Sequence, residues 1–439
     1  MIPFRFIHTA DLHLDSPFAG MSGVPEKLRQ HLQNSTFAAL NSLVDLAISE
    51  QVDFIVVSGD VYDASDSSLR AQLRLQEAWD RLGRYGIPAY VIHGNHDPLN
   101  ARKLRIAPPG HIKIFGPSAE SVVARRRSDG QSVAVISGIS YPTSAVTENT
   151  SLQFRRDTAS NLYHIGLLHA NVDGQEGHDA YSPCSLRDLQ QAGYDYWALG
   201  HIHQRQILHE SPWIVYPGNI QGRSMKETGA KGCYVVDVDQ FGRTELAFRA
   251  LDHARWLEAE LSITGMIREE LLRDRAEELL DEIREQSDGR LHIVRFVLTG
   301  RGPLHALLQS GTEGEELLQE LRRKENRRLD YTENGSPGHV VWPAAIKVRT
   351  GADIDYAALR EEDSFLGELL RIADTAEEEE ALLEQIVNSA LTPVHDQRRL
   401  RGLVKEMTAD EKRALVRQAA EMAISLLTEQ DVKEAKEGK

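Results

Sequence analysis

The sequence predicts an α/β protein, and three observations lead there. Short β-branched runs alternate with helical stretches through residues 1–250. Most of those runs are apolar without a break, the pattern of strands buried on both faces. Histidines, aspartates and an asparagine then recur at the carboxyl ends of the runs, the edge at which α/β sheets bind ligands.

Taken in order, Phe4–Thr9, 52–58, 87–93, 133–139, 162–169 and 194–199 read as strands. Residues 27–50 and Leu69–Arg84 carry helical apolar spacing, and 185–192 reads as a shorter helix opening on a serine cap. Beyond Arg205 only strands follow (Trp213–Tyr216, 232–239, 245–250), which closes one sheet with antiparallel partners. The segments 255–263, 265–286 and 291–298, a helical stretch to Arg328, a Gly/Pro break at 334–338 and a strand at 340–348 give a β-α-β-α-β order. From Asp353 the chain reads as helical and acidic, with a glutamate run at 377–380. At 410–429, Leu415, Val416, Ala419, Met422, Ala423, Leu426 and Leu427 share one face; it either packs within its own domain or docks a partner. The segment 433–439 reads as a solvated tail. The expected domains are 1–250, 251–350 and 351–439.

Composition narrows the function classes. At about 100–200 residues per domain, 439 residues make two or three domains. With 41% hydrophobic and 26% charged residues the chain is neither disordered nor a membrane bundle. No apolar run reaches the ~18 residues of a spanning helix. Met1-Ile2-Pro3-Phe4-Arg5 leads straight into a core strand, so no secretory leader is expected and the location is read as cytoplasmic. Cys184 and Cys233 are too few for a disulfide framework or thiolate cage and read as small buried hydrophobes. Residues 1–250 carry 23 basic and 26 acidic side chains and 251–439 carry 27 and 40, for charges of −3 and −13. Coating nucleic acid by bulk charge is excluded; a local groove or a partner-delivered DNA is not.

Five segments carry chemistry: Thr9-Ala10-Asp11-Leu12-His13, Ser58-Gly59-Asp60, Gly94-Asn95-His96-Asp97, Leu168-His169 and Gly200-His201-Ile202-His203. Each stands at a strand end, so groups spanning nearly 200 positions should converge. Glycines before Asp60, Asn95 and His201 fit sharp turns. Imidazoles, carboxylates and one carboxamide, with no thiolate, suit Mn²⁺, Fe²⁺ or Zn²⁺. Asp11, His13, Asp60, Asn95, His169, His201 and His203 exceed what one tetrahedral ion uses, whereas a bridging carboxylate can hold two ions about 3.5–4 Å apart that clamp both oxygens of a phosphoester displacement. His96, left off the metals, is assigned the proton work, with Asp97 orienting it.

These five motifs, over the first 205 residues, resemble the calcineurin-like metallophosphoesterases. His8-Thr9-Ala10-Asp11-Leu12-His13-Leu14, Tyr181-Ser182-Pro183-Cys184, and Tyr216-Pro217-Gly218-Asn219 leading to Lys226-Glu227-Thr228-Gly229-Ala230-Lys231-Gly232 are similar to the bacterial SbcD-type DNA repair exonucleases of the YhaO-like branch. The resemblance implies a β-sandwich flanked by helices in α-β-β-α layers, a small α/β domain that caps the site and contacts DNA, and a helical end that docks an SbcC-type coiled-coil ATPase. It implies a first metal on Asp11, His13, Asp60 and His203 and a second on Asp60, Asn95, His169 and His201, with Mn²⁺ preferred, 3′-to-5′ exonuclease and possible endonuclease activity, and a possible homodimer. Archaeal and eukaryotic relatives have a histidine where Asp63 stands, so a DNA-positioning role does not transfer; Asp63 is expected to support a ligand from behind.

Other residues keep two readings each. His8 either supports a ligand or is a satisfied core histidine. Arg125-Arg126-Arg127 is an exposed hairpin tip or a phosphate contact. Arg205, Arg223 and Lys226 line a phosphate path or serve the fold. Thr299-Gly300-Arg301-Gly302 lacks the lysine and spacing of a phosphate loop. The same metal motifs serve phosphatases, cyclic-nucleotide phosphodiesterases and nucleotide hydrolases, but Ala64-Ser65 follows Asp63 where phosphatases usually carry Arg-Gly. A non-catalytic scaffold would have lost a ligand, and none is missing.

Overall fold

The computed structural model describes residues 1–18, 23–63, 68–101, 106–174, 181–309, 311–331, 339–392 and 407–437. The expected break at 334–338, the Ala64-Ser65 pair and the last two residues of the expected tail lie outside them. The chain divides into two units, Met1–Ala259 with Leu279–Arg295 and Glu320–Ala345, and Glu260–Glu278 with Phe296–Gln319 and Ile346–Lys439.

In the first unit, strands β1 (Phe4–Thr9), β2 (Phe54–Ser58), β3 (Ala89–Ile92), β4 (Ile112–Ile114), β11 (Gly232–Val238) and β12 (Thr244–Ala250) form one six-stranded sheet in the order β12-β11-β1-β2-β3-β4. Strands β5 (Glu120–Arg125), β6 (Ser132–Gly138), β7 (Tyr163–His169), β8 (Tyr196–Gly200), β9 (Gln206–Glu210) and β10 (Trp213–Tyr216) form the other, in the order β5-β6-β7-β8-β10-β9. β1, β2 and β3 run parallel, as do β6, β7 and β8, and β11 closes against β1 antiparallel.

Period-two alternation explains the layers. Phe4 and Phe6 on β1, Phe54 and Val56 on β2 and Ile92 on β3 meet Tyr163, Ile165, Leu167, Tyr196 and Ala198 from the second sheet. The Phe6 and Phe54 rings stack at 5.2 Å, and Tyr196 meets Phe6 edge-on at 5.4 Å. Each such fully buried ring contributes about 1.5–3 kcal/mol from burial. Ile7, Ile55 and Val57, of opposite parity, face helices α1 (Glu26–Ser49) and α2 (Leu69–Arg84) through Leu40, Leu43, Val44, Leu75 and Trp79. Trp197, Leu199 and Ile214 face α3 (Leu186–Gln191) and Phe154 on the other side. The result is the expected α-β-β-α sandwich. Ser68 caps α2 by accepting from Ala71 N, and Ser185 and Asp188 cap α3 reciprocally.

Two short strands, β4 and β9, escape the sequence reading, and β5 enters it only as an arm of the Arg125-Arg126-Arg127 hairpin; all three are edge strands of three to six residues, largely half-exposed or exposed. Between β5 and β6, Arg125-Arg126-Arg127 is the hairpin tip. Arg126 Nε donates to Asp129 Oδ1 at 3.1 Å and Arg127 N to Asp53 Oδ1 at 2.8 Å, so both serve the turn.

After β12, the order is β13 (Ala254–Ser262), α4 (Glu269–Glu285), β14 (Leu291–Thr299), α5 (His305–Gln309), α6 (Thr312–Tyr331) and β15 (Val341–Val348), with a three-stranded sheet ordered β13-β14-β15. Within the first unit, Trp256, Ile293 and Trp342 pack with Leu28 and Leu32 of α1.

In the second unit, helices α7 (Tyr356–Glu361), α8 (Phe365–Glu378), α9 (Glu380–Ala390) and α10 (Ala409–Glu437) share a small core of Ala373, Ala376, Leu383, Val387, Val416 and Ala420. Arg301, not part of a phosphate loop, donates to Tyr356 Oη at 2.7 Å and Glu421 Oε2 at 2.8 Å. Two expectations for α10 are corrected. The helix continues to Glu437, through most of the expected tail. Its packed line is Val416, Ala420 and Ile424, whereas Leu415, Met422 and Leu426 are exposed, as is Ala419. An i, i+4, i+8 line of three apolar residues suffices to seat the helix, leaving a second apolar line outward. Among the described residues no helix is long and apolar enough to cross a membrane.

Candidate metal centre

Each of the five segments begins where a strand of one of the two sheets ends. β1 delivers Asp11 and His13, β2 Asp60, β3 the turn Asn95-His96-Asp97, β7 His169, and β8 His201 and His203. The backbone is bent hard to do so: Asp11, His13, Asp60 and His201 have φ of 51°, 42°, 50° and 99°. Such conformations cost about 1–3 kcal/mol each and persist only where neighbours over-determine them. Here they do. Asp11 N donates to Gly59 O at 3.1 Å, His13 N to Asp60 O at 3.0 Å, and His201 N to Asp11 Oδ1 at 3.1 Å. Of the three glycines read as turns, only Gly59 has positive φ, +95°. Gly94 and Gly200 instead make room, since a Cβ would overlap Asp60 and His169 at the first and the Ser58 carbonyl at the second.

The side chains converge. His13 Nε2 and His203 Nε2 face each other at 3.0 Å. His169 Nε2 lies 3.0 Å from Asn95 Oδ1 and 3.4 Å from Asp60 Oδ2, and His13 Nε2 is 3.8 Å from that same Asp60 oxygen. The His201 ring sits 5.3 Å from the His169 ring, centroid to centroid. Donor atoms of Asp11, His13 and His203, of His13, Asp63 and His96, and of Asp11, Asp60 and His169 lie within 4.8 Å of one another in each group. Asp60 touches both halves of the cluster, the position a bridging carboxylate needs.

Electrostatics agree with a cation site. Asp11, His13, Asp60 and His169 are all at most 1% exposed. Burial raises the Asp11 carboxyl and pushes His13 down to about 3. Burial also opposes charge on His169, but Asp60 carries it up to about 9. Two facing imidazole nitrogens beside two buried carboxylates are costly unless a cation or shared protons fill the gap. The oxygen-and-imidazole donor set, without thiolate, fits divalent ions.

The surrounding residues divide. His96 Nδ1 lies 2.8 Å from the main-chain oxygen of Asp63, and its amide donates to Asp60 Oδ1 at 3.0 Å. Asp97, expected to orient His96, does something else. Its carboxylate accepts from Val61 N at 2.9 Å and Gly94 N at 2.8 Å, and sits 3.0 Å from His93 Nδ1. It is a buried brace between the second and third segments, because the turn carries adjacent side chains in different directions. Asp63 Oδ1 is 3.0 Å from His13 Nδ1, off the ideal donor line, and 3.7 Å from His96 Nδ1. It stands on the far side of a candidate ligand's ring.

His8 resolves as a core histidine. It shares the parity of Phe4 and Phe6, lies between the sheets, and bonds Tyr196 Oη at 2.9 Å and Leu199 O at 3.1 Å. Of the residues read as a phosphate path, Arg205 lays its guanidinium 3.9 Å above the Phe248 ring. Lys226 is exposed, its amide donating to Ser224 Oγ at 3.3 Å. Arg223 turns inward, donating to Asp63 Oδ1 and Ser16 Oγ, both at 2.8 Å, and to Glu227 Oε1 at 3.2 Å. Glu227, to which sequence reasoning gave no role, receives His203 Nδ1–H at 2.6 Å. The available signal was an acid four residues after Arg223, inside the stretch Lys226-Glu227-Thr228-Gly229 that the family resemblance singles out.

The calcineurin-like phosphoesterase profile matches residues 4–205, and the middle domain of the metallophosphoesterase YhaO matches 256–351. The chain is 38% identical over 376 residues to the uncharacterized metallophosphoesterase YhaO of Bacillus subtilis, covering 85% of this chain and 87% of that one. It is 28% identical over 273 residues to the SbcD component of the SbcCD nuclease of Bacillus subtilis, covering 53% of this chain and 66% of that protein. It is 25% identical over 243 residues to the DNA double-strand break repair protein Mre11 of Sulfurisphaera tokodaii, covering 53% and 59%.

Proposed function

Because this chain belongs to the calcineurin-like metallophosphoesterases and carries the YhaO middle domain, we propose that it is a two-metal phosphodiesterase that hydrolyses DNA. The observation that carries the reading is the opposed pair of His13 and His203 Nε2 atoms, 3.0 Å apart, beside the buried carboxylates of Asp11 and Asp60. Asp11, His13, Asp60 and His203 would hold one ion, and Asp60, Asn95, His169 and His201 the other. Bound there, divalent ions offset the charge of the phosphodiester and lower the barrier to its attack by water.

The chain's own groups do the rest. The Asp63 carbonyl can only accept, so it keeps a proton on His96 Nδ1; the ring then acts as a general acid only as the imidazolium, giving its Nε2 proton to the departing oxygen and staying neutral with Nδ1–H in place. The His96 side chain is 41% exposed, within reach of a substrate. Asp11 holds the His201 backbone, and the Ser58 carbonyl, 2.9 Å from His169 Nδ1, fixes that ring with Nε2 turned to Asn95 and Asp60.

The DNA substrate is supported by likeness to the SbcCD nuclease component and the Mre11 repair protein, each over about half of this chain. From the resemblance of the sequence motifs we further propose Mn²⁺ as the working metal, 3′-to-5′ exonuclease polarity and an SbcC-type coiled-coil ATPase as partner. The outward apolar line Leu415, Met422 and Leu426 on α10 is suited to dock a partner helix. The test is turnover of duplex DNA, a phosphopeptide and a cyclic nucleotide side by side with Mn²⁺. DNA cleavage is expected; activity confined to either small substrate would overturn the assignment.

A further inference from the structure

We propose that Arg223 and Glu227 are positioning residues of the metal centre, a single guanidinium bracing the two carboxylates that stand behind His13 and His203. The inference rests on the two-metal reading and deepens it.

Both residues lie in the loop after β10. Glu227 receives Arg223 N at 2.6 Å on Oε2 and His203 Nδ1–H at 2.6 Å on Oε1, so each carboxylate oxygen is aimed. The guanidinium spans the gap to the other acid, with Nη2 3.2 Å from Glu227 Oε1 and Nη1 2.8 Å from Asp63 Oδ1. Asp63 Oδ1 in turn stands 3.0 Å from His13 Nδ1. Along this chain of contacts, Arg223 links the far sides of two imidazoles whose near sides face each other at 3.0 Å.

The chemistry follows from the imidazole. A neutral ring carries one proton, and a carboxylate at Nδ1 holds it there, leaving the Nε2 lone pair for a cation. Two such carboxylates in a half-buried site would repel each other; one positive charge between them cuts the pair's net charge from −2 to −1. Only a planar fork can meet both acids and Ser16 Oγ at once; an ammonium on a flexible stem is a point charge. The loop is rigidly seated, since Gly222 O accepts from Trp256 Nε1 at 2.8 Å and Gly229 N donates to Trp256 O at 2.9 Å.

The experiment is a Mn²⁺ titration by calorimetry of the full chain after chelator treatment, with Glu227→Gln, Glu227→Met, Arg223→Lys and Arg223→Ala, each also melted in EDTA. Glutamine can still accept from His203 Nδ1–H, whereas methionine fills the space without an acceptor. The expected result is an affinity loss of about 10–100-fold for Glu227→Met and Arg223→Ala, with smaller losses for Glu227→Gln and Arg223→Lys, and EDTA melting curves that do not follow this order. Equal effects of glutamine and methionine, or wild-type affinity in all four, would overturn the inference while leaving the two-metal reading intact. So would an Arg223→Ala protein with unchanged Mn²⁺ binding and a raised KM for DNA, the signature of a phosphate contact. A wild-type chain that takes up no Mn²⁺ would end both.

Discussion

The main-chain oxygen of Asp63 lies 2.8 Å from Nδ1 of His96, 33 residues further along the chain. A backbone carbonyl survives any side-chain substitution at its own position, so the orientation of His96 is insulated from changes to the Asp63 carboxylate. His96→Gln should retain Mn²⁺ binding and lose about 10²–10⁴-fold in turnover, the usual contribution of a positioned acid or base. Calorimetry paired with single-turnover DNA cleavage reads both. Collapse of metal binding would instead move His96 among the ligands.

Asp97 should matter for stability. Its carboxylate satisfies two backbone N–H groups and faces His93. Asp97→Asn can keep one acceptor but turns an amine toward the other donor, an expected cost of about 1–3 kcal/mol. Asp97→Ala strands both donors and the imidazole, an expected cost of about 3–5 kcal/mol. Urea unfolding in chelator measures these losses. Unchanged stability with lost turnover would restore Asp97 as the partner of His96.

His8 gives the pH dependence. Burial holds its folded-state value down to about 3, partly offset by its bond to the Leu199 carbonyl. The unfolded value is about 6.5, so the unfolded chain binds the extra proton between those limits. The contribution is therefore complete above about pH 6.5 and is lost as pH falls toward 3, at up to ~1.4 kcal/mol per unit. His13 shares this direction, so the informative quantity is the difference between wild type and His8→Gln in EDTA. A glutamine can make both of the histidine's hydrogen bonds without titrating, and the variant's unfolding midpoint should fall less steeply below pH 6.5. Parallel curves would reject the assignment.

Metal should stabilise the first unit. Asp11 and Asp60 are buried within one cluster, and ions that bind only the folded chain offset that cost. At a free concentration about 100 times Kd, each ion should add about 2.7 kcal/mol to unfolding stability. Thermal melts with Mn²⁺ and with excess EDTA test this, and coincident curves would contradict it.

What could be read from the sequence, and what could not, follows from the range of the interactions. The ends of β1, β2, β3, β7 and β8 were legible because each strand is a short, mostly apolar run and its candidate metal-ligating residues stand at or just past its end. Contacts between segments were not. Asp97 adjoins His96 in sequence but braces His93, while His96 is held by Asp63 and His203 by Glu227, 24 residues on. The last two pairings join separate strand-end loops, and the first, across four residues, depends on how the turn after β3 is bent, so none is given by adjacency in the sequence. His8 was ambiguous by chemistry but not by parity: with Phe4 and Phe6 it faces the space between the sheets.

The register of α10 makes the final prediction. Its apolar residues can be drawn as two lines about one residue apart, and periodicity alone does not choose between them. The structure buries Val416, Ala420 and Ile424 and leaves Leu415, Met422 and Leu426 exposed. Ile424 is fully buried, so Ile424→Ala should cost about 2–5 kcal/mol, whereas Met422→Lys and Leu426→Glu should stay within about 0.5 kcal/mol of wild type. Chemical denaturation followed by circular dichroism measures each. If the outward line is where a partner helix seats, Met422→Lys should also abolish co-purification with a coiled-coil ATPase while leaving the isolated chain's melting curve unchanged. A marked loss of stability in Met422→Lys would mean that this line is packed inside the protein, and the partner assignment for α10 would go with it.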